Sequence, residues 1–117
     1  MPNPIVHWEI VSPERGVQLQ EFYANLFGWK IKSENPFNYG LVDTQSSLGI
    51  NGAVGPGEGP RRVTLYAQVD DLQAYLDRAE RLGATVLMPV TEISGVMTIA
   101  LISDPDGNVF GLMQSDA

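Results

Sequence analysis

The sequence contains no cysteine, a single histidine and few basic residues, and each shortage closes off a class of function. Without cysteine there are no disulfides, no thiolate metal sites and no thiol nucleophile, a composition compatible with a reducing compartment such as the cytoplasm. Seven Lys and Arg stand against fourteen Asp and Glu, giving a formal net charge of −7. The seven (Arg15, Lys30, Lys32, Arg61, Arg62, Arg78, Arg81) are scattered, so nucleic acid, which needs a basic face, is not an expected partner. No apolar run approaches the length at which a helix crosses a membrane. Met1-Pro2-Asn3-Pro4 carries no basic region followed by an apolar stretch, and no signal peptide is expected. No phosphate-loop ending, nucleophile elbow or dinucleotide fingerprint is present.

What the chain does have is enough apolar material for a core: 44% of its 117 residues are hydrophobic, which fits one compact domain over residues 1–117. Two segments have helical spacing. The first starts at Ser12-Pro13-Glu14, residue types suited to an N-cap, a first helical position and the positive end of the helix dipole. Leu19, Phe22, Tyr23 and Leu26 form its expected apolar stripe, and Gly28 closes it. The second starts at Asp70-Asp71-Leu72-Gln73, resembling a capping box, with Leu72, Tyr75, Leu76 and Ala79 as its stripe and Gly83 at its end.

Strand-like segments precede the helices at residues 4–10 and 63–69. Others follow at 29–32, 37–42 and 48–54, and again at 85–88, 96–103 and 109–114. The order β-α-β-β-β therefore occurs twice, with Phe27-Gly28-Trp29 echoed by Leu82-Gly83-Ala84. Gly55-Pro56-Gly57-Glu58-Gly59-Pro60 separates the two modules, about 1–55 and about 61–117. Alternation sorts the faces of the strands. Val6, Trp8 and Ile10 oppose Ile5, His7 and Glu9. Val63, Leu65, Ala67 and Val69 oppose Thr64, Tyr66 and Gln68. Phe110 and Leu112 oppose Val109, Gly111 and Met113. The apolar sides are expected to pack on the helices. The polar sides either face solvent, as in many antiparallel sheets, or line a pocket.

One closing segment, the turn Asp104-Pro105-Asp106-Gly107-Asn108 followed by Val109-Phe110-Gly111-Leu112-Met113-Gln114, resembles the final hairpin of the vicinal oxygen chelate superfamily, which includes glyoxalases, bleomycin resistance proteins and extradiol dioxygenases. The resemblance extends along the chain. It takes in His7, Glu21-Phe22-Tyr23, Leu26-Phe27-Gly28-Trp29, Gly49-Ile50-Asn51-Gly52 and Gln68-Val69-Asp70-Asp71. It implies an α+β fold in which two βαβββ modules form a curved mixed sheet around a cavity, with the helices outside. Members of this family commonly form homodimers, and Phe27, Trp29 and Phe37 are candidate apolar contact surface.

Metal-dependent members take one ligand from each of four strands. The matching positions here are His7, Asn51, Thr64 and Gly111. Only His7 is a strong ligand, because divalent transition metals favour imidazole, carboxylate or thiolate donors. Glu9 lies two residues along the same strand face, roughly 6–7 Å away by backbone rise, which is not the family arrangement. No cofactor is therefore expected. The expected ligand pocket comprises His7, Glu9, Asn51, Thr64, Tyr66, Gln68, Gly111 and Met113. The resemblance implies a small-molecule-binding protein with an incomplete metal site. The alternatives are a metal-dependent lyase, isomerase or dioxygenase of the same superfamily, in which the metal acts as a Lewis acid, and a regulatory or structural module. Each residue also has a plainer reading: His7 as a hydrogen-bonding residue, Glu9 as a solvated carboxylate, Thr64 and Tyr66 as β-formers, Asn51 as a turn residue.

Overall fold

The computed structural model describes residues 2–93 and 95–116. Its elements run β1 (Ile5–Val11), α1 (Gly16–Phe27), β2 (Lys30–Lys32), β3 (Gly40–Asp43), β4 (Gly52–Gly55), β5 (Arg62–Val69), α2 (Leu72–Arg81), β6 (Thr85–Ile93), β7 (Met97–Ser103) and β8 (Val109–Gln114). This is an α+β fold with the expected β-α-β-β-β order repeated. The hydrogen-bonded strand order is β2-β3-β4-β1-β5-β8-β7-β6. Strand directions repeat as well. β2/β3 and β3/β4 are antiparallel and β1/β4 is parallel; likewise β6/β7 and β7/β8 are antiparallel and β5/β8 is parallel.

The chain divides into two compact units, residues 1–6 with 65–117, and residues 7–64. In the first, α2 is set by its cap: the Asp71 side chain accepts from the Ala74 N–H, as the sequence implies for an Asp before Leu72. Its Leu72 and Leu76 are buried with Val69, Ala100 and Leu112. On the opposite side of the same strands, Tyr66, Ile99 and Leu101 are buried, with Met88, Ile93, Met97, Val109 and Met113 packed around them. Parity thus sorts Val69 and Leu112 from Tyr66 and Met113 as expected. β6 runs five residues further than the alternation suggests, to Ile93, with register shifts between Val86 and Met88 and between Met88 and Thr91. The irregularity surrounds Pro89, which cannot donate to a ladder and is tolerated in a strand at a bulge or edge.

In the second unit α1 begins at Gly16, three residues later than an N-cap at Ser12 suggests. The Ser12 hydroxyl accepts from the Arg15 N–H and stabilises a turn that precedes the helix. A Cβ on Gly16 would lie 2.1 Å from the Pro56 nitrogen, so the helix can start there only because the residue has no side chain. The expected stripe is also rotated. Phe22 and Leu26 are more than half exposed, and the buried positions are Gly16 and Gln20. Gln20 turns inward because its amide donates to the carbonyls of Asn38 and Val54. Tyr23 and Trp29 stack in an aromatic row with Phe27, and Trp29 continues it to Trp8.

The expected burial of the two leading strands is reversed in part. Val63 and Leu65 are exposed, while His7, Glu9 and Thr64 are buried. Burial of these polar groups is possible where they are paired, and the first two are.

Candidate functional site

β1 points His7 and Glu9 to one side, and both are buried, at 6% and 3% exposure. Their common partner is Tyr39, from the loop ahead of β3. His7 Nε2 lies 2.8 Å from the Tyr39 hydroxyl, and that hydroxyl donates to Glu9 Oε2 at 2.8 Å. Tyr39 has one proton, and the carboxylate takes it. His7 must therefore donate from Nε2 to the Tyr39 oxygen, which leaves the lone pair on Nδ1. Burial pushes the His7 pKa down to about 4, so the ring is neutral at neutral pH and the single-donor tautomer holds.

Tyr39 is positioned by its own loop. Asn35 Oδ1 accepts from the N–H groups of Phe37 and Tyr39, and Asn35 Nδ2 donates to the Tyr39 carbonyl. Asn38 takes a left-handed conformation with φ 53°, which Asn tolerates better than most residues, and its carbonyl is held by Gln20. On the other side of Glu9, the first residue of β5 supplies a cation: Arg62 Nη2 is 3.6 Å from Glu9 Oε1. Arg62 Nη1 donates to the carbonyls of Glu58 and Pro60, so the same guanidinium secures the Gly/Pro segment. Two residues on, Thr64 is 1% exposed.

Four of the candidate residues belong to the other unit. Tyr66 and Gly111 are register partners in the parallel β5/β8 pair, as are Gln68 and Met113. A Cβ on Gly111 would lie 2.3 Å from two carbons of the Tyr66 ring. Glycine there is the condition for Tyr66 to lie across β8. Tyr66 is fully buried and Met113 packs against its cluster. Gln68 is anchored through its backbone, its N–H donating to the Pro4 carbonyl and its carbonyl accepting from Asn3 Nδ2. Asn51 stands just before β4, exposed, with Oδ1 accepting from the Thr44 N–H and hydroxyl; it closes a loop.

Within one unit the structure joins His7 to Glu9 through Tyr39, and within the other it gathers Tyr66, Gly111 and Met113. Tyr39 and Arg62 were absent from the sequence-derived set. The signal for Tyr39 was an Asn-Pro-x-Asn-Tyr-Gly stretch, a turn presenting an aromatic. Arg62 carried no local signal. A cleft of about 340 Å³ lined by Ser12, Pro13, Glu14, Arg15 and Arg61 contains none of these residues.

The four family positions do not fit a divalent metal. The His7 Nε2 proton is committed to Tyr39, Asn51 is tied to Thr44, Thr64 is a weak neutral donor, and the place of a carboxylate at 111 is taken by the Tyr66 ring. Among the described residues no three His, Asp or Glu side chains are grouped so as to hold an ion.

A family model described as a glyoxalase-like domain matches residues 11–113. A Mycobacterium tuberculosis protein named "Putative glyoxylase CFP32" is 32% identical over 107 residues, covering 83% of this chain and 40% of that one. The anthracycline biosynthesis protein DnrV of Streptomyces peucetius is 28% identical over 129 residues, covering 95% of this chain and 46% of that one. The chain thus spans less than half the length of these curated relatives. Among solved structures, a glyoxalase/bleomycin resistance protein/dioxygenase superfamily member from Vibrio splendidus has a TM-score of 0.58 at 19% identity, covering 97% of this chain and 100% of that one.

Proposed function

Because the chain belongs to the glyoxalase-like domain family, we propose that it is a small-molecule-binding protein of the bleomycin-resistance type that works without the family's four-ligand metal site. The observation that carries this reading is the Tyr66 ring across Gly111, which fills the space a metal-binding carboxylate would need. The His7–Tyr39–Glu9 chain supports it too, since it uses the imidazole and the nearest carboxylate to hold each other rather than an ion. Without carboxylate charge in the donor set, little offsets the cost of dehydrating a divalent cation.

The test is elemental analysis of untagged protein beside a His7→Ala variant, followed by a fragment screen by ligand-observed NMR with and without chelator. The expected result is far less than one metal per chain and ligand binding indifferent to chelator. Near one metal per chain, lost in His7→Ala and accompanied by turnover, would replace this reading with a metal-dependent lyase, isomerase or dioxygenase. That second reading draws support from the 32% identical mycobacterial relative and its name. A cytoplasmic location belongs to the proposal and rests on the cysteine-free composition. So does a homodimer, supported by Phe27 and Phe37, each more than half exposed.

A further inference from the structure

Two buried polar atoms at the start of β5 have no hydrogen-bond partner among the described residues: Arg62 Nε and Thr64 Oγ1. Nearly all buried polar groups in folded proteins are paired, so each orphan calls for a partner of defined chemistry. The two residues are i and i+2 in one strand and point to the same side. Arg Nε–H can only donate, and a threonine hydroxyl donates as well as accepts. Together they ask for an acceptor.

The charges nearby limit what that acceptor can be. The guanidinium faces one carboxylate, Glu9, at 3.6 Å, and its Nη1 is spent on the Glu58 and Pro60 carbonyls. A ligand carboxylate would put a second buried anion on one buried cation, and the uncompensated charge is costly. A ligand ammonium has no lone pair to offer and would sit beside a guanidinium. A neutral carbonyl oxygen accepts from both donors and leaves the charge balance unchanged.

We propose that Arg62 Nε–H and Thr64 Oγ1–H are a donor pair for the neutral carbonyl group of a small-molecule ligand. The inference rests on the small-molecule-binding reading above and narrows it to a ligand class. Both donor atoms are shielded from solvent in the free chain, so the Arg62 side chain, 14% exposed, must shift to admit the ligand.

Three probes sharing one ring separate the chemistries: acetophenone, benzoate and benzylamine, titrated by NMR into the full chain. Acetophenone is expected to move the Arg62 Nε–H and Thr64 signals and to bind more tightly than the other two. Thr64→Val keeps the shape and removes the hydroxyl. It should weaken acetophenone at least five-fold while melting no lower than the wild type, because it deletes a buried group that lacks a partner in the free chain. Thr64→Ser restores the hydroxyl and should bind within two-fold of the wild type, which guards against a valine variant that fails to fold. Equal acetophenone affinity in wild type and Thr64→Val, stronger binding of benzoate or benzylamine at these residues, or no acetophenone binding would each overturn the donor pair. If fragments bind the chain but acetophenone does not, the donor pair falls and the small-molecule reading stands. A chain that binds nothing in the fragment screen loses both.

Discussion

Adding a single methyl group at Gly111 should destabilise the fold through one identifiable neighbour. The new Cβ would lie 2.3 Å from two carbons of the Tyr66 ring, whereas unbonded carbons rest at about 3.5–4.0 Å. The shortfall, more than about 1 Å, must be absorbed by a fully buried ring with Ile99 and Leu101 in its cluster or by the β8 backbone. Over-packing of this kind costs about 1–3 kcal/mol, and a closed site belongs at the upper end. Tyr66→Ala alone should cost about 3–5 kcal/mol, the range for truncating a buried aromatic. In the Tyr66→Ala background the clash partner is gone, and Gly111→Ala should become neutral or stabilising by about 0.5–1 kcal/mol, as alanine is preferred to glycine inside a strand. The coupling between the two positions is then about 2–4 kcal/mol, read from urea unfolding of the four proteins in a double-mutant cycle. Additivity within about 0.5 kcal/mol would refute the claim that the ring is what excludes a side chain at 111.

The buried imidazole sets a pH dependence. His7 has a folded pKa of about 4, below its ordinary value of 6.5, so the unfolded chain binds the extra proton. Its contribution is intact above about pH 6.5 and is lost as pH falls toward 4, by roughly 3 kcal/mol in all. The difference in stability between wild type and His7→Asn should therefore shrink across that window, and a constant difference would contradict the buried neutral ring. Tyr39→Phe removes the hydroxyl that His7 and Glu9 both use; it should cost about 1–3 kcal/mol and abolish the Nε2–H signature of His7 in ¹⁵N NMR, and an unchanged tautomer would dismiss the relay. Sedimentation velocity at high micromolar concentration should give a dimer, and a monomer there would remove the homodimer from the proposal.

Local signals in the sequence located most of the framework. Asp71 ahead of an apolar stripe, Gly28 after one, and the tight turn at 104–108 ahead of the strand 109–114 each act within a few residues, and the structure agrees at α2, at the end of α1 and at β8. Strand parity also placed His7 beside Glu9. What parity could not supply was the burial of that face, because burial here depends on partners distant in the chain. Tyr39 is thirty residues from Glu9 in sequence, and Arg62 is farther still. The start of α1 was misread for a similar reason: Ser12 offers a good local cap, but the approach of residues 55 and 56 at Gly16 decides where the helix begins. The exposed Val63 and Leu65 and the inward Gln20 show side-chain chemistry yielding to tertiary pairing.

The division of the chain into units falls inside β1 and β5 rather than at the Gly/Pro segment between the sequence repeats. Residues 1–6 work with 65–117, where the Pro4 carbonyl takes the Gln68 N–H and Asn3 reaches the Gln68 carbonyl and the Tyr75 hydroxyl. A cut between residues 60 and 61 therefore respects the repeat but strips the second half of a few residues borrowed from the opposite end of the chain. It would leave the Gln68 N–H bare on a strand edge, the kind of edge that recruits another chain. In this molecule the sequence repeat and the compact unit have different borders, and Asn3 and Pro4 belong by sequence to one half and by bonding to the other.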